Sequence, residues 1–429
     1  MSIEIPRMME VRQSYPAAKK LDFPALVAEQ FAKSGVLKSV KPGMRIAVGA
    51  GSRGVANLQA IVKTTVDVLK QAGAKPFVIP AMGSHGGATA EGQREILANY
   101  GVTEETVGAP IDDRMDVKVI GTAALDGHAG REVVFSVAAL DADGVVAINR
   151  VKPHTDFGGP LGSGIQKMLT IGFGKQIGAS NMHRLITRQG HEKVIRAFAE
   201  VILKTVPVLC GVAVVEDQHH ATAELEVLDP REIVSGEERL LRRAWELMPQ
   251  LPMDEIDLLI VDEIGKEISG AGMDPNVVNR DIMGYSASLM GQSRTKKPHI
   301  WRILVRDLSE ATHGNGIGIG MADFTTVRVV KNLDKETTYM NALTSIGIQA
   351  TKMPMYFDSD REAITEALGT LAAEKDQVLR VVRIKDTLSL DRMLVSEGCA
   401  EELKGRAGVS VAGAARAMEF DAEGNLRRL

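Results

Sequence analysis

Cysteine is almost absent from this chain of 429 residues: Cys210 and Cys399 are the only two. So few, so far apart, they exclude a disulfide scaffold and a cysteine metal cluster, and they predict a reducing compartment with two small core residues. Aromatic side chains amount to 4 %, too few for the stacking platforms of a single-strand nucleic-acid binder. Neither sign of charge prevails. The 51 basic residues are interleaved with 55 acidic ones for a net charge of −4, so no basic stripe points to nucleic acid. No run of about 18 apolar residues marks a membrane span. The opening MSIEIPRMMEVRQSYP has no apolar core flanked by basic residues, which predicts no secretory signal and a cytoplasmic enzyme or binding protein. The sequence shows no internal repeat and no low-complexity segment.

What is present is typical of a globular protein, with 45 % apolar and 25 % charged residues and length enough for two domains with cores of their own. Short Val/Ile/Ala-rich runs alternate with helical patterns. MRIAVGA (44–50) reads as a buried strand and NLQAIVKTTVDVLKQAG (57–73) as a helix closed by Gly73. KPFVIPAMG is the next strand and TAEGQREILANYG the next helix. MDVKVIG, REVVFSVAALDADGVVAINRV, a glycine-rich stretch at 158–178, a helix near 191–204 and a strand pair in VPVLCGVAVVED follow. This alternation predicts an α/β fold with mostly parallel sheets. Pro249 and Pro252 separate a helix from the fresh strand DLLIVDEIG. They set the expected division into two α/β domains, 1–252 and 253–429, with the last stretch of about 20 residues returning to the first domain.

The turn RIAVGAGSRGVANLQAIV, from Arg45, carries Gly49, Gly51 and Gly54 as G-x-G-x-x-G. A nicotinamide site would also need an acidic residue at the end of the second strand. That strand ends VIPAMGSHGG instead. In a parallel sheet, ligands bind beyond the carboxyl ends of the strands. The first strand delivers Ser52 and Arg53 there, and the second delivers Ser84 and His85. Arginine takes a carboxylate through paired hydrogen bonds, and histidine carries protons near neutral pH. The bland alternative is an ion pair for Arg53 and a turn cap for His85.

The densest stretch is AINRVKPHTDFGGPLGSGIQKMLTIGFGKQIGASNMHR, Ala147 to Arg184. Lys152, Pro153 and His154 follow a strand, Lys167 lies in a glycine-rich loop, and His183 closes NMH. Glycines allow close backbone approach to a bulky ligand. A lysine there can bind phosphate or attack an electrophilic carbon, and neutral histidine is a common metal ligand. The remaining histidines (His128, His191, His219, His220, His299 and His313) read as structural or solvent-facing.

In the order of these elements over residues 44–184, the chain resembles the nickel-dependent lactate racemase family. GAGSR is similar to that family's Asp-x-Thr-Arg turn, with Arg53 at the arginine; GSHGGATAE is similar to its Gly-x-His-Arg motif, with His85 at the histidine. Pro153 and His154 match its Pro-His pair. Lys167 and His183 match its lysine in a glycine-rich loop and its following Asn-x-His. The resemblance implies a nickel-pincer nucleotide attached covalently at Lys167, with His183 completing the nickel coordination. It implies His85 and His154 as an acid/base pair at a 2-hydroxy acid, Arg53 with Ser52 holding the carboxylate, and Gly49, Gly51, Gly162 and Gly164 around the cofactor. The activity implied is inversion of C2 by reversible hydride transfer, in a cleft between the domains, on a small 2-hydroxy carboxylate. Cofactor-making enzymes would be partners.

The chain departs from the family where its aspartate falls near Gly51 and its second arginine at Gly86. In the second domain SGAGMDPNVVNRDIMG stands where the family has Gln and Lys. Asn279 and Arg280 lie near those positions, and Arg280 is the expected second clamp. Arg294, Lys296 and Lys297 read as a solvated basic loop. The rival readings are an epimerase of longer sugar acids with the same cofactor, a zinc hydrolase built on His85, His154 and His183, and a non-catalytic nucleotide- or anion-binding relative.

Overall fold

The computed structural model describes all residues except 1–3, 17–19, 53, 126–127, 156, 283–297 and 373–376, and the side chains of 128 and 129. Arg53, Arg294, Lys296 and Lys297 therefore lie outside the described residues. Among the described residues fifteen strands are formed: β1 Met8–Gln13, β2 Arg45–Ala50, β3 Lys75–Pro80, β4 Val117–Leu125, β5 His128–Ser136, β6 Gly144–Arg150, β7 Val208–Glu216 and β8 Thr222–Leu228, followed by β9 Glu255–Ile264, β10 His299–Leu308, β11 Phe324–Thr326, β12 Met355–Phe357, β13 Val381–Ile384, β14 Arg392–Ser396 and β15 Val409–Arg416. The chain divides into two compact units, one of Ala17–His154 with Gly159–Met248, the other of Met1–Pro16, Thr155–Gly158 and Pro249–Leu429.

The first unit is built on a five-stranded sheet in the order β3-β2-β6-β7-β8, all parallel except β8. Its strands are apolar on both faces, as a sheet covered by helices requires. Val48, Ile46, Val146 and Val212 join the fully buried core under the helix Leu58–Gln71, which contributes Ile61, Val62, Val66 and Leu69. VPVLCGVAVVED forms the single strand β7, whose antiparallel partner β8 comes only after a turn at 217–221. β4 and β5 pair separately as a two-stranded ribbon.

The second unit is an eight-stranded sheet, β12-β11-β10-β9-β13-β14-β1-β15, parallel from β12 to β13 and antiparallel beyond. The N-terminal strand β1 belongs here, inserted between β14 and β15. Arg306 lies buried between Asp262 (2.8 Å) and Asp360 (2.6 Å), and Arg383 pairs with the same Asp262 at 2.7 Å. The end of the chain closes this network: Leu426 N donates to Asp360 at 2.8 Å and Leu429 N to Asp262 at 3.0 Å. Each buried charge thus has a counter-charge and further hydrogen bonds, the condition for keeping ions in a core. The C-terminal residues make these bonds within the second unit. Among the described residues no helix is long and apolar enough to cross a membrane.

Candidate active site

Adjacent parallel strands bring their carboxyl ends together, so the tips of β2 and β3 are neighbours. Ser52, just past β2, meets His85, in the turn after β3, at 2.5 Å between Oγ and Nδ1. The Tyr100 hydroxyl donates to the Ser52 carbonyl at 2.9 Å. His85 is exposed and Ser52 half-buried. Engaging Nδ1 fixes the ring and puts Nε2 on its far side, the arrangement that prepares an imidazole for proton transfer.

The turn carrying His85 needs Gly83, Gly86 and Gly87, all with φ between 59° and 65°. At Gly86, where the resembling family has arginine, a Cβ would lie 2.5 Å from the Gly92 carbonyl carbon; no side chain fits. The turn is braced from beneath by two buried side chains. Gln93 Nε2 donates to the carbonyls of Gly83 (2.9 Å) and His85 (3.2 Å). Lys175 Nζ donates to the Pro80 carbonyl at 2.7 Å and to Gln93 Oε1 at 3.4 Å. Lys175 is only 1 % exposed. Burial pulls its amine down to about 8, against the opposing pull of Asp112 and Asp113.

The third tip is that of β6. Arg150 is paired with Glu216 at the end of β7. Beyond it the main chains of Lys152 and Ser163 bond reciprocally at 3.1 and 2.9 Å, and Asn149 Nδ2 donates to the Gly164 carbonyl at 2.8 Å. These ties return the glycine-rich segment to the strand tip, where Lys167 Nζ contacts His154 Nε2. Two cations would repel at that contact, so one partner is neutral, and the amine has a proton acceptor at hand. The His191 ring lies 5.9 Å from that of His154.

The stretch 158–178 is largely helical where the sequence predicts a loop. A short turn, Ile165–Lys167, runs into a π-helical turn, Met168–Gly172, and then into the helix Lys175–Gln189, which carries a half-buried His183. π-turns recur at functional sites. Under the first turn Glu237 Oε2 accepts from Gln166 N at 3.0 Å, while Glu237 Oε1 and Gln166 Oε1 have no partner. Glu237 is 1 % exposed, and burial pushes its carboxyl up to about 7.

The four glycines that the resemblance places around a cofactor lie close to other parts of the first unit. A Cβ at Gly49 would strike the Phe173 ring, at Gly162 the Lys152 carbonyl, and at Gly164 the Glu237 carboxyl. At Gly51 it would lie 3.1 Å from Met168 Cε. Gly49 and Gly51 are packed against the helical segment, Gly162 against the main chain after β6, and Gly164 against the helix Ile233–Leu247. Arg280, in the second unit, donates to the carbonyls of Ile300 (3.0 Å) and Trp301 (3.1 Å) and pairs with Asp323 at 3.0 Å. Among the described residues no three His, Cys, Asp or Glu side chains gather as metal ligands, so His85, His154 and His183 do not form a zinc site. Lys175, Gln93 and Glu237 escape sequence reasoning, because a buried polar side chain declares itself only through tertiary contacts. His191, a histidine opening a helix straight after Gly190, stands with its ring near that of His154.

Residues 40–240 match the family model of DUF362, a domain of unknown function. None of the curated proteins compared matches this chain. Among solved structures the chain is similar to the lactate racemase apoprotein from Thermoanaerobacterium thermosaccharolyticum. Their identity is 13 %, over 89 % of this chain and 99 % of that one, with a TM-score of 0.50. The likeness is one of fold, a mixed α/β architecture with mostly parallel sheets.

Proposed function

We propose that this chain is an isomerase that inverts C2 of a 2-hydroxy acid, with a nickel-pincer nucleotide bound at Lys167. The observation that carries the reading is the pairing of Lys167 Nζ with His154 Nε2 at the tip of β6, in the same sheet whose neighbouring tips set Ser52 against His85. The residues present suit such a group in that the Lys167 amine has a proton acceptor in His154. His183, half-buried on the helix Lys175–Gln189, would give the metal one imidazole and the cofactor the remaining donors. Bound at Lys167, the group would supply nickel and a hydride acceptor for the hydrogen at C2.

The chain's own residues supply the rest. His154, in contact with the amine, would accept the proton that Lys167 gives up when it holds the group. His154 and His85 would take and return the hydroxyl proton of the two enantiomers. Ser52 orients His85, and Gln93 and Lys175 hold its turn in place. Arg53, next to Ser52, takes the carboxylate; Arg280 is already neutralised by Asp323. The reading brings with it a small 2-hydroxy carboxylate as substrate, a short-chain or a sugar acid, enzymes that make the cofactor as partners, and a cytoplasmic setting.

The Ser52–His85 contact also raises a serine acyl-transfer pair as a second reading. In such a triad the nucleophile meets Nε2 and an acid meets Nδ1. Here the hydroxyl meets Nδ1, which makes Ser52 the orienting group. The deciding experiment is the intact mass of protein co-expressed with the cofactor-making enzymes. Wild type should exceed the mass of the bare chain, and Lys167→Ala should not. A fully active enzyme with an unmodified Lys167 overturns the reading.

A further inference from the structure

A helix on a globular unit normally turns its large apolar side chains inward. The helix Lys335–Ser345 does the reverse: it buries Thr338 and Ala342 and leaves Tyr339, Met340 and Leu343 outside. The inversion continues along the chain. Ile348 in the next turn, then Met353, Met355 and Tyr356 at and around β12, are exposed as well. Seven of the fifteen large apolar side chains that the described fold leaves exposed fall in this one stretch. Each is 40–68 % exposed, and exposed apolar side chains gathered in one part of a fold mark an association site.

Met355 and Tyr356 lie on an open sheet edge. β12 is the terminal strand of the eight-stranded sheet and pairs only with β11 among the described strands. An unpaired edge beside apolar surface is a template for another strand. Its sequence suits itself. Around Met355 it reads Lys352-Met353-Pro354-Met355-Tyr356-Phe357-Asp358. Antiparallel pairing about a two-fold axis at Met355 sets Lys352 against the partner's Asp358 and Asp358 against the partner subunit's Lys352. Lys352 and Asp358 are both exposed. Opposite charges directly across a ladder stabilise the pair, and a two-fold operator brings the same patch from each copy into contact. The flanks carry both signs, with Lys335 and Glu336 beside the helix face, so no strongly charged partner is called for.

We propose that the chain forms a two-fold homodimer through β12 and the outward face of the helix Lys335–Ser345. This does not rest on the catalytic reading. The test is sedimentation velocity of the full chain across micromolar concentrations, with two variants. Wild type should sediment at twice the 46.2 kDa of one chain. Leu343→Glu buries an unpaired charge on the helix face and should weaken the dimer at least ~100-fold, the effect of losing a hot-spot residue. Met355→Cys should cross-link to a covalent dimer on mild oxidation, because the two-fold axis brings the residue against itself. The native Cys210 and Cys399 are buried, so wild type should not cross-link. A monomeric wild type at every concentration overturns the proposal. So does a dimer that survives Leu343→Glu while Met355→Cys stays uncross-linked. If Leu343→Glu fails to fold, the Met355→Cys cross-link decides alone.

Discussion

Replacing Glu237 by glutamine should change how stability responds to pH. Glu237 sits on the helix Ile233–Leu247, 1 % exposed, with one carboxyl oxygen on Gln166 N and the other without a partner. Burial raises its carboxyl from an ordinary 4.5 to about 7. Between those values the folded chain keeps a proton that the unfolded chain has released, so stability falls as pH rises through that window. The rise is worth roughly 3 kcal/mol at about 1.4 kcal/mol per pH unit. Glutamine does not titrate, and its carbonyl can still accept from Gln166 N. The variant should therefore gain roughly 2–3 kcal/mol on wild type between about pH 5 and about pH 8. Trp245 lies on the same helix, so urea unfolding followed by its fluorescence, in a Trp301→Phe background, reads the right unit. Parallel loss of stability by both chains over that range would refute the reasoning.

Alanine at His85 or at His154 should slow inversion by roughly 10²–10⁴-fold in both directions, the usual yield of a general acid or base, with substrate binding retained; chiral chromatography of each direction checks it. His183→Ala should lose nickel while keeping its circular dichroism, read by metal analysis of the loaded protein. Gly49→Ala should cost about 1–3 kcal/mol by overpacking, because its methyl group meets Phe173, itself stacked on Phe135 with centroids 5.0 Å apart; a melting temperature lower by several degrees is the check.

The parallel sheet of the first unit was legible because its strands are unbroken apolar runs closed by turn residues. Placing Ser52 and His85 on successive strand tips needed only that adjacent parallel strands end side by side. The helical character of 158–178 was not legible. Glycine there reads as loop, whereas Gly172 and Gly174 are small because the carbonyls of Ala81 and Thr170 come within 2.7 and 2.6 Å of where a Cβ would sit. The membership of β1 was hidden for another reason. Its partners β14 and β15 lie almost the whole chain away, and no local pattern encodes so distant a pairing. The pairing of Arg280 with Asp323 was not legible either, since the two lie 43 residues apart and no local pattern joins them.

The central claim is that the tips of β2, β3 and β6 invert a 2-hydroxy acid without releasing the hydrogen at C2. The measurement that tests it most directly follows C2-deuterated 2-hydroxy acids, short-chain and sugar acids together, on protein co-expressed with the cofactor-making enzymes. The account predicts that one of these acids is inverted and keeps its deuterium at C2. Loss of the label to water, or no inversion of any acid by protein that carries the adduct at Lys167, would contradict it.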